Sequence, residues 1–159
     1  MAIQETVSLR KHLADLLRMK GAHADLDQVL SGFPPALRGV KPEGAPHSAW
    51  QLLEHMRIAQ EDILDFSRNP KYKDKTFPDD YWPAEEAPAS EAAWEKSIKR
   101  FEKDLEEMQE LIADTKHDLL VKLPHGTGQT LLREAMLIAD HNSYHLGQLM
   151  FLRKLLEGR

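Results

Sequence analysis

The stretch WEKSIKRFEKDLEEMQELI, residues 94–112, decides the fold class of this chain. Its apolar residues recur at alternating intervals of four and three, which places them on one face of a helix, with charged residues opposite. This pattern predicts a long amphipathic α-helix whose apolar face needs other elements to cover it. The apolar positions are Trp94, Ile98, Phe101, Leu105, Met108 and Ile112.

Three other segments have helical periodicity, and strand-like alternation is scarce. One covers residues 49–66 and follows Ser48, which is predicted to form a capping box with Gln51. Another runs from about Thr130 to Leu156, and a less regular first helix is predicted from about Glu5 to Leu30. Four such helices bury their apolar faces most simply as one bundle.

Loops rich in proline and glycine separate these segments. The loop NPKYKDKTFPDDYWPAEEAP, residues 69–88, is long enough at about 3.3 Å per residue to run the length of a helix. Helices 2 and 3 therefore need not be antiparallel. The aromatic residues Phe77, Tyr81 and Trp82 of this loop are predicted either to shape a pocket or to cover exposed core.

Composition narrows the class of protein. The 159 residues suit one domain, and the net charge of -5 disfavours nucleic acid and anionic membranes as partners. The chain has no cysteine, which excludes disulfides, thiolate metal ligands and a cysteine nucleophile. No apolar run approaches the roughly 20 residues that span a bilayer, and the N-terminus lacks the apolar core of a signal peptide. A cytoplasmic protein is expected.

Three of the eight histidines form a candidate metal site. His141 and His145 are spaced i,i+4 in HNSYH, so they lie one above the other on one helix face. His55 lies at the margin of the apolar face of the second helix. Three neutral imidazoles suit Zn, Ni, Co or Cu better than Mg or Ca, and three protein ligands leave a coordination position open. The alternative interpretation is that these histidines are hydrogen-bonded core residues.

Several neighbours are candidates for supporting roles. Gln148, seven residues after His141, is predicted to hydrogen-bond a ligand imidazole or a metal-bound water, or else to bond a neighbouring helix. Asp62 stands in the same relation to His55 as a candidate outer-shell or general-base carboxylate, unless it is simply solvated. His23 is a candidate to line the pocket or to add a fourth ligand.

The segments HSAWQLLEHM, residues 47–56, and TLLREAMLIADHNSYHLGQLMFLRKLLEG, residues 130–158, resemble the DinB-like, or YfiT-like, superfamily. The resemblance covers nearly the whole chain and implies one domain over residues 1–159, an all-α four-helix bundle with a long crossover between helices 2 and 3. It also implies a divalent metal, usually nickel or zinc, held by His55, His141 and His145.

Three functional hypotheses follow. The first, which the resemblance favours, is a metal-dependent enzyme that activates a low-molecular-weight thiol, as a transferase, or water, as a hydrolase. Its expected partners are a small-molecule substrate and, because the family often forms homodimers, a second copy of the chain. The second hypothesis is a non-catalytic metal-binding helical interaction module. The third is a helical bundle whose histidines only pack.

The Glu of a zincin HExxH motif is absent, because Asn142 occupies its position.

Overall fold

The computed structural model of the chain describes residues 2–19 and 21–158. These residues form α-helices and no strand, which confirms the predicted all-α bundle. The short helix α2 is Leu26–Leu30, and Pro35–Leu37 form a turn of 3₁₀-helix. The four long helices are α1 (Ala2–Leu17), α3 (Ala49–Arg68), α4 (Glu91–Ala113) and α5 (Leu131–Glu157).

The amphipathic pattern of residues 94–112 corresponds to helix α4. Trp94, Phe101, Met108 and Ile112 are buried, as the alternating spacing predicts. Helices α1 and α3 each pack against both α4 and α5, which places α1 and α3 at opposite corners of the bundle. The apolar faces of the long helices therefore meet in one core.

Helices α3 and α4 run parallel, as pairs of side chains along their length demonstrate. Near the start of both helices the Ser97 hydroxyl donates to Glu54. Near their ends the guanidinium of Arg68 donates to Glu107 over 2.6 Å. Residues 69–90 must therefore carry the chain back along the bundle as a long crossover, as expected from the length of this loop.

Helices α3 and α5, which carry the three candidate histidines, have well-defined caps. Ser48 accepts from the backbone of Gln51, whose side chain accepts in turn from the backbone of Ser48, so the capping box that starts α3 is confirmed. Helix α5 begins after the cap residue Thr130 and ends at Gly158, which has a left-handed φ of 69°. These caps fix where the two histidine-bearing helices begin.

The prediction of a single first helix from about Glu5 to Leu30 is wrong. Helix α1 ends at Leu17, and Met19 has a φ of 54°, a left-handed conformation that interrupts a right-handed helix. A separate helix, α2, then starts at Leu26 after the N-cap residue Asp25, whose side chain accepts from the backbone N–H of Gln28. Local backbone and capping interactions thus divide a segment whose apolar pattern is already less regular than that of the other helices.

A buried glutamine joins three helices beside the histidines. The Gln60 amide donates to the carbonyl of Phe101 over 2.6 Å, and its oxygen accepts from Asn142 over 2.7 Å. Buried polar groups cost free energy unless they are hydrogen-bonded, so this pairing favours one relative placement of α3, α4 and α5. Asn142 directly follows His141, so the same bonds fix α5 where its histidines lie.

Gly39 allows the segment before α3 to contact the crossover. A Cβ on Gly39 would lie 2.5 Å from the Cβ of Ala87 and 3.1 Å from its Cα. We expect Gly39→Ala to lower the free energy of unfolding by about 1–3 kcal/mol, because the two backbones must separate. Urea denaturation measures this change.

Gly147→Ala is the matched control, because a Cβ there meets nothing within 4 Å on the exposed side of α5. We expect it to raise the free energy of unfolding by about 0.5–1 kcal/mol through helix propensity. A Gly39→Ala protein as stable as the wild type would contradict the close contact.

Candidate metal centre

The structure brings His55, His141 and His145 together between helices α3 and α5. One ring nitrogen from each histidine lies within 4.8 Å of the others. The Nε2 atoms of His55 and His141 are 3.1 Å apart, which is hydrogen-bond distance. Zn–N bonds of about 2.0–2.1 Å place two tetrahedral ligands roughly 3.3–3.4 Å apart, so this separation suits a shared ion. The cluster is compatible with metal binding.

Two of the imidazoles are oriented by hydrogen bonds to their outer nitrogens. The Nδ1 of His55 donates to the backbone carbonyl of Tyr81 over 3.0 Å, and the Nδ1 of His145 donates to the Oε1 of Gln148 over 2.7 Å. Both acceptors are oxygens, so the proton is on Nδ1 and the lone pair is on Nε2. Such bonds are the usual means of fixing the tautomer and ring orientation of a metal-binding histidine.

The environment keeps the three imidazoles uncharged. Burial lowers the pKa of His55, His141 and His145 below the ordinary value, because desolvation disfavours the protonated form. For His141 burial and the two neighbouring histidines lower the pKa to about 4. Neutral imidazole is the form that binds metal, so the cluster is in its ligating state at neutral pH.

A tryptophan from the crossover stacks on one of the three histidines. The ring of Trp82 lies parallel to that of His55, with centroids 3.8 Å apart and an interplanar angle of 1°. The ring of His47 stacks on Trp82 at the same separation. This three-ring stack covers the His55 side of the cluster. The sequence predicted that Trp82 shapes a pocket or covers core, and its contact with His55 was missed.

Asp62 is buried and supports the site indirectly. Its carboxylate accepts from the hydroxyls of Tyr72 over 3.0 Å and Tyr81 over 2.6 Å. Burial and this carboxylate raise the pKa of Tyr72 to about 12 and also raise that of Tyr81. Because the Tyr81 carbonyl accepts from His55, Asp62 helps to hold the residue that orients a histidine of the cluster. The alternative that Asp62 is a solvated carboxylate is wrong.

His23 lies outside the cluster. It is exposed in the turn between α1 and α2, and its Nδ1 donates to the carbonyl of Ala24 over 2.9 Å. The expectation that it lines the pocket or adds a ligand depended on a continuous first helix, which the turn at Met19 interrupts. Within residues 2–19 and 21–158, the only group of three or more potential ligands that could hold a metal is His55, His141 and His145.

Two cavities flank the cluster. The first, which we call the His141 pocket, has a volume of about 330 Å³; it is lined by His141 and by residues of α3, α5 and the crossover, including Asp62, Phe66, Tyr72, Phe77 and Tyr81. The second has a volume of about 340 Å³ and is mainly apolar, lined by His47, Gln148, Leu52, Phe151 and Leu155 among others. A small molecule therefore has room beside the candidate ligands.

The fold is an all-helical bundle with a long crossover, and three of its imidazoles converge. These features place the chain in the class of helical proteins with a candidate metal site. The sequence model of the DinB superfamily matches residues 18–149, and the chain belongs to this superfamily. The comparisons with curated proteins and with solved structures give no significant match. Among the described residues, no helix combines the length and the apolar character required to cross a membrane.

The lowered histidine pKa values predict acid sensitivity of the metal-free protein. In the unfolded chain a histidine takes up a proton near pH 6.5, whereas folded His141 does so near pH 4. The stability contributed by the neutral histidines is therefore fully present above about pH 6.5 and is lost as the pH falls toward 4. Urea denaturation of metal-free protein between pH 7.5 and 5 measures the loss.

The control is His141→Gln, which removes the group with the largest shift. We expect its stability to decline less steeply over the same pH interval. An equal decline in both proteins would show that other groups cause the acid sensitivity.

Proposed function

We propose that this chain is a metal-dependent enzyme in which His55, His141 and His145 hold a nickel or zinc ion. The observation that supports the proposal is the convergence of three neutral imidazoles beside two cavities. A three-ligand site leaves a position open for a reactant, which is typical of catalytic rather than structural metal centres. Nitrogen donors favour nickel or zinc over magnesium or calcium, which prefer oxygen.

A divalent ion in such a site lowers the pKa of a thiol or of water and so supplies a nucleophile near neutral pH. The chain itself positions the ligands. The Tyr81 carbonyl and the Gln148 amide orient the imidazoles of His55 and His145, and the ring of Trp82 covers the His55 side of the cluster. These contacts hold the histidines in place before a substrate arrives.

We propose a small thiol, rather than water, as the nucleophile, so that the reaction is thiol transfer to an electrophile. Asn142 occupies the position of a zincin general base, and it is buried and donates to Gln60. Asp62 accepts from two tyrosine hydroxyls. Neither residue is therefore free to assist the ion as a base, and a thiol with a pKa near 8.5 needs a much smaller shift than water, with a pKa of about 15.7, to ionise near neutral pH.

The test is an activity panel on the purified protein, loaded with nickel or zinc or stripped by chelator. Bacillithiol, mycothiol and glutathione are paired with an electrophile such as monobromobimane, and p-nitrophenyl esters and amides report hydrolysis. We expect metal-dependent thiol transfer, absent from a variant in which all three histidines are alanine. Metal-dependent ester hydrolysis without thiol transfer would overturn the choice of nucleophile.

Metal content distinguishes the remaining outcomes of the panel. Elemental analysis of the wild type and of the triple variant is made on the same preparations. If the wild type binds one ion but turns over none of the substrates, the protein is a non-catalytic metal-binding module rather than an enzyme. Equal metal content in both proteins would show that the histidines only pack.

A further inference from the structure

The His141 pocket has an aromatic wall built from α3 and the crossover. Phe66, Tyr72, Phe77 and Tyr81 all line it. The rings of Phe66 and Tyr72 meet edge to face, with centroids 5.1 Å apart and an interplanar angle of 87°. Those of Phe77 and Tyr81 are 6.0 Å apart and tilted by 52°. Phe77 is 75% exposed, so the four rings border an open pocket rather than form a closed aromatic layer.

Carboxylates outnumber cations in the lining of the same pocket, although Asp62 also borders a neighbouring pocket that is lined by Arg68, Lys73, Lys75 and Arg100. Asp62 and Asp74 line it, and neither forms an ion pair within the described parts of the chain. Glu134 and Arg133 also line it but pair with each other over 2.7 Å. Arg133, the one Lys or Arg residue among those that line the pocket, is therefore already neutralised by Glu134.

Asp62 connects the charge to the aromatic wall. Its side chain is buried, with 7% of the residue exposed, and it accepts from the hydroxyls of Tyr72 and Tyr81. Two of the four rings are therefore held by the buried carboxylate itself. Aromatic rings next to a carboxylate form the environment that binds ammonium groups, because both the ring faces and the carboxylate attract a cation.

We propose that the His141 pocket binds the ammonium group, primary or quaternary, of an amine-bearing small molecule. His141 lines the same cavity, so the remainder of such a molecule extends toward the candidate metal ligands. That the amine belongs to a reactant rests on the proposed function. The binding of the ammonium group itself does not, since the aromatic and acidic residues are independent of the ion.

Choline and 3,3-dimethyl-1-butanol are suitable probes because they share a shape and differ in charge. Each is titrated by calorimetry and by saturation-transfer NMR into metal-free and zinc-loaded protein. We expect choline to bind at least about fivefold more tightly than the neutral alcohol in both forms. Equal affinities, or a preference for propionate, which would pair with Arg133, would overturn the proposal.

Variants locate the binding site. Asp74→Asn and Phe77→Leu change exposed residues of the pocket, and Asp62→Asn removes the buried charge. We expect each to weaken choline binding without changing that of the neutral alcohol. Asp79→Asn, an equal charge change on an exposed residue outside the pocket, is the control. If the exposed variants bind choline as the wild type does, the pocket is not the site.

The two proposals fail in different ways. Choline binding to metal-free protein without any metal-dependent turnover would support the ammonium pocket and contradict the proposed enzymatic function. Thiol transfer with no discrimination between choline and the neutral alcohol overturns only the ammonium pocket.

Discussion

Replacing His145 by alanine will lower the affinity of the protein for zinc or nickel by more than about 100-fold. Loss of an outer-shell partner alone typically costs 10–100-fold in affinity, and this change removes one of the three proposed direct ligands. His145 is buried, with 8% of the residue exposed. Among the described residues only His55 and His141 remain in the cluster after the change, so no other residue of the group replaces the lost nitrogen. Competition against a chromophoric chelator measures the affinity.

His23→Ala is the control for this experiment. His23 is exposed in the turn before α2 and is not part of the cluster. We expect it to bind metal as the wild type does. Unchanged affinity in His145→Ala, or an equal loss in His23→Ala, would contradict the assignment of the ligands.

Replacing Gln148 by leucine will lower metal affinity by about 10–100-fold, although Gln148 does not belong to the three-histidine cluster. Its Oε1 accepts the Nδ1 proton of His145 over 2.7 Å. Without this acceptor the imidazole loses the bond that keeps its proton on Nδ1 and its lone pair on Nε2. Gln148 is exposed, so the fold is expected to tolerate the change.

Gln148→Glu keeps an oxygen acceptor at this position and serves as the conservative variant. We expect it to retain most of the affinity that Gln148→Leu loses. The measurement is the same chelator competition, accompanied by thermal denaturation to verify folding. If leucine and glutamate bind metal equally well, the hydrogen bond to His145 does not support the site.

Periodicity in the sequence was sufficient to predict most of the bundle. Helices α3, α4 and α5 have long apolar faces, and their ends carry recognisable caps such as Ser48 and Gly158. The break between α1 and α2 was not predictable in the same way. It depends on the left-handed backbone of Met19 and on a new cap at Asp25, and the irregular apolar pattern of this segment does not by itself locate either feature.

The candidate site was predictable in part. Helical spacing indicated that His55, His141 and His145 lie on or beside the apolar faces of two helices. The resemblance to the DinB-like superfamily then grouped them as one predicted ligand set. The roles of Tyr81 and Trp82 were not visible, because they depend on the path of the crossover between parallel helices. A backbone carbonyl such as that of Tyr81 leaves no mark on side-chain spacing.

The buried carboxylate illustrates the same limit. Asp62 is separated in sequence from Tyr72 and Tyr81, and only the fold of the crossover brings both hydroxyls to it. Helical spacing predicts that Asp62 lies on the same helix face as His55, but it cannot predict that Tyr72 and Tyr81 donate to the buried carboxylate. Residues within helices were thus easier to place than the loop residues that orient them.

The most direct test of the central claim is X-ray absorption spectroscopy of the zinc-loaded protein, with and without added thiol. We predict three imidazole rings with nitrogens at about 2.0–2.1 Å and, after thiol is added, one sulfur at about 2.3 Å. Fewer than three imidazoles, or a coordination shell that thiol does not change, would contradict an open three-histidine centre.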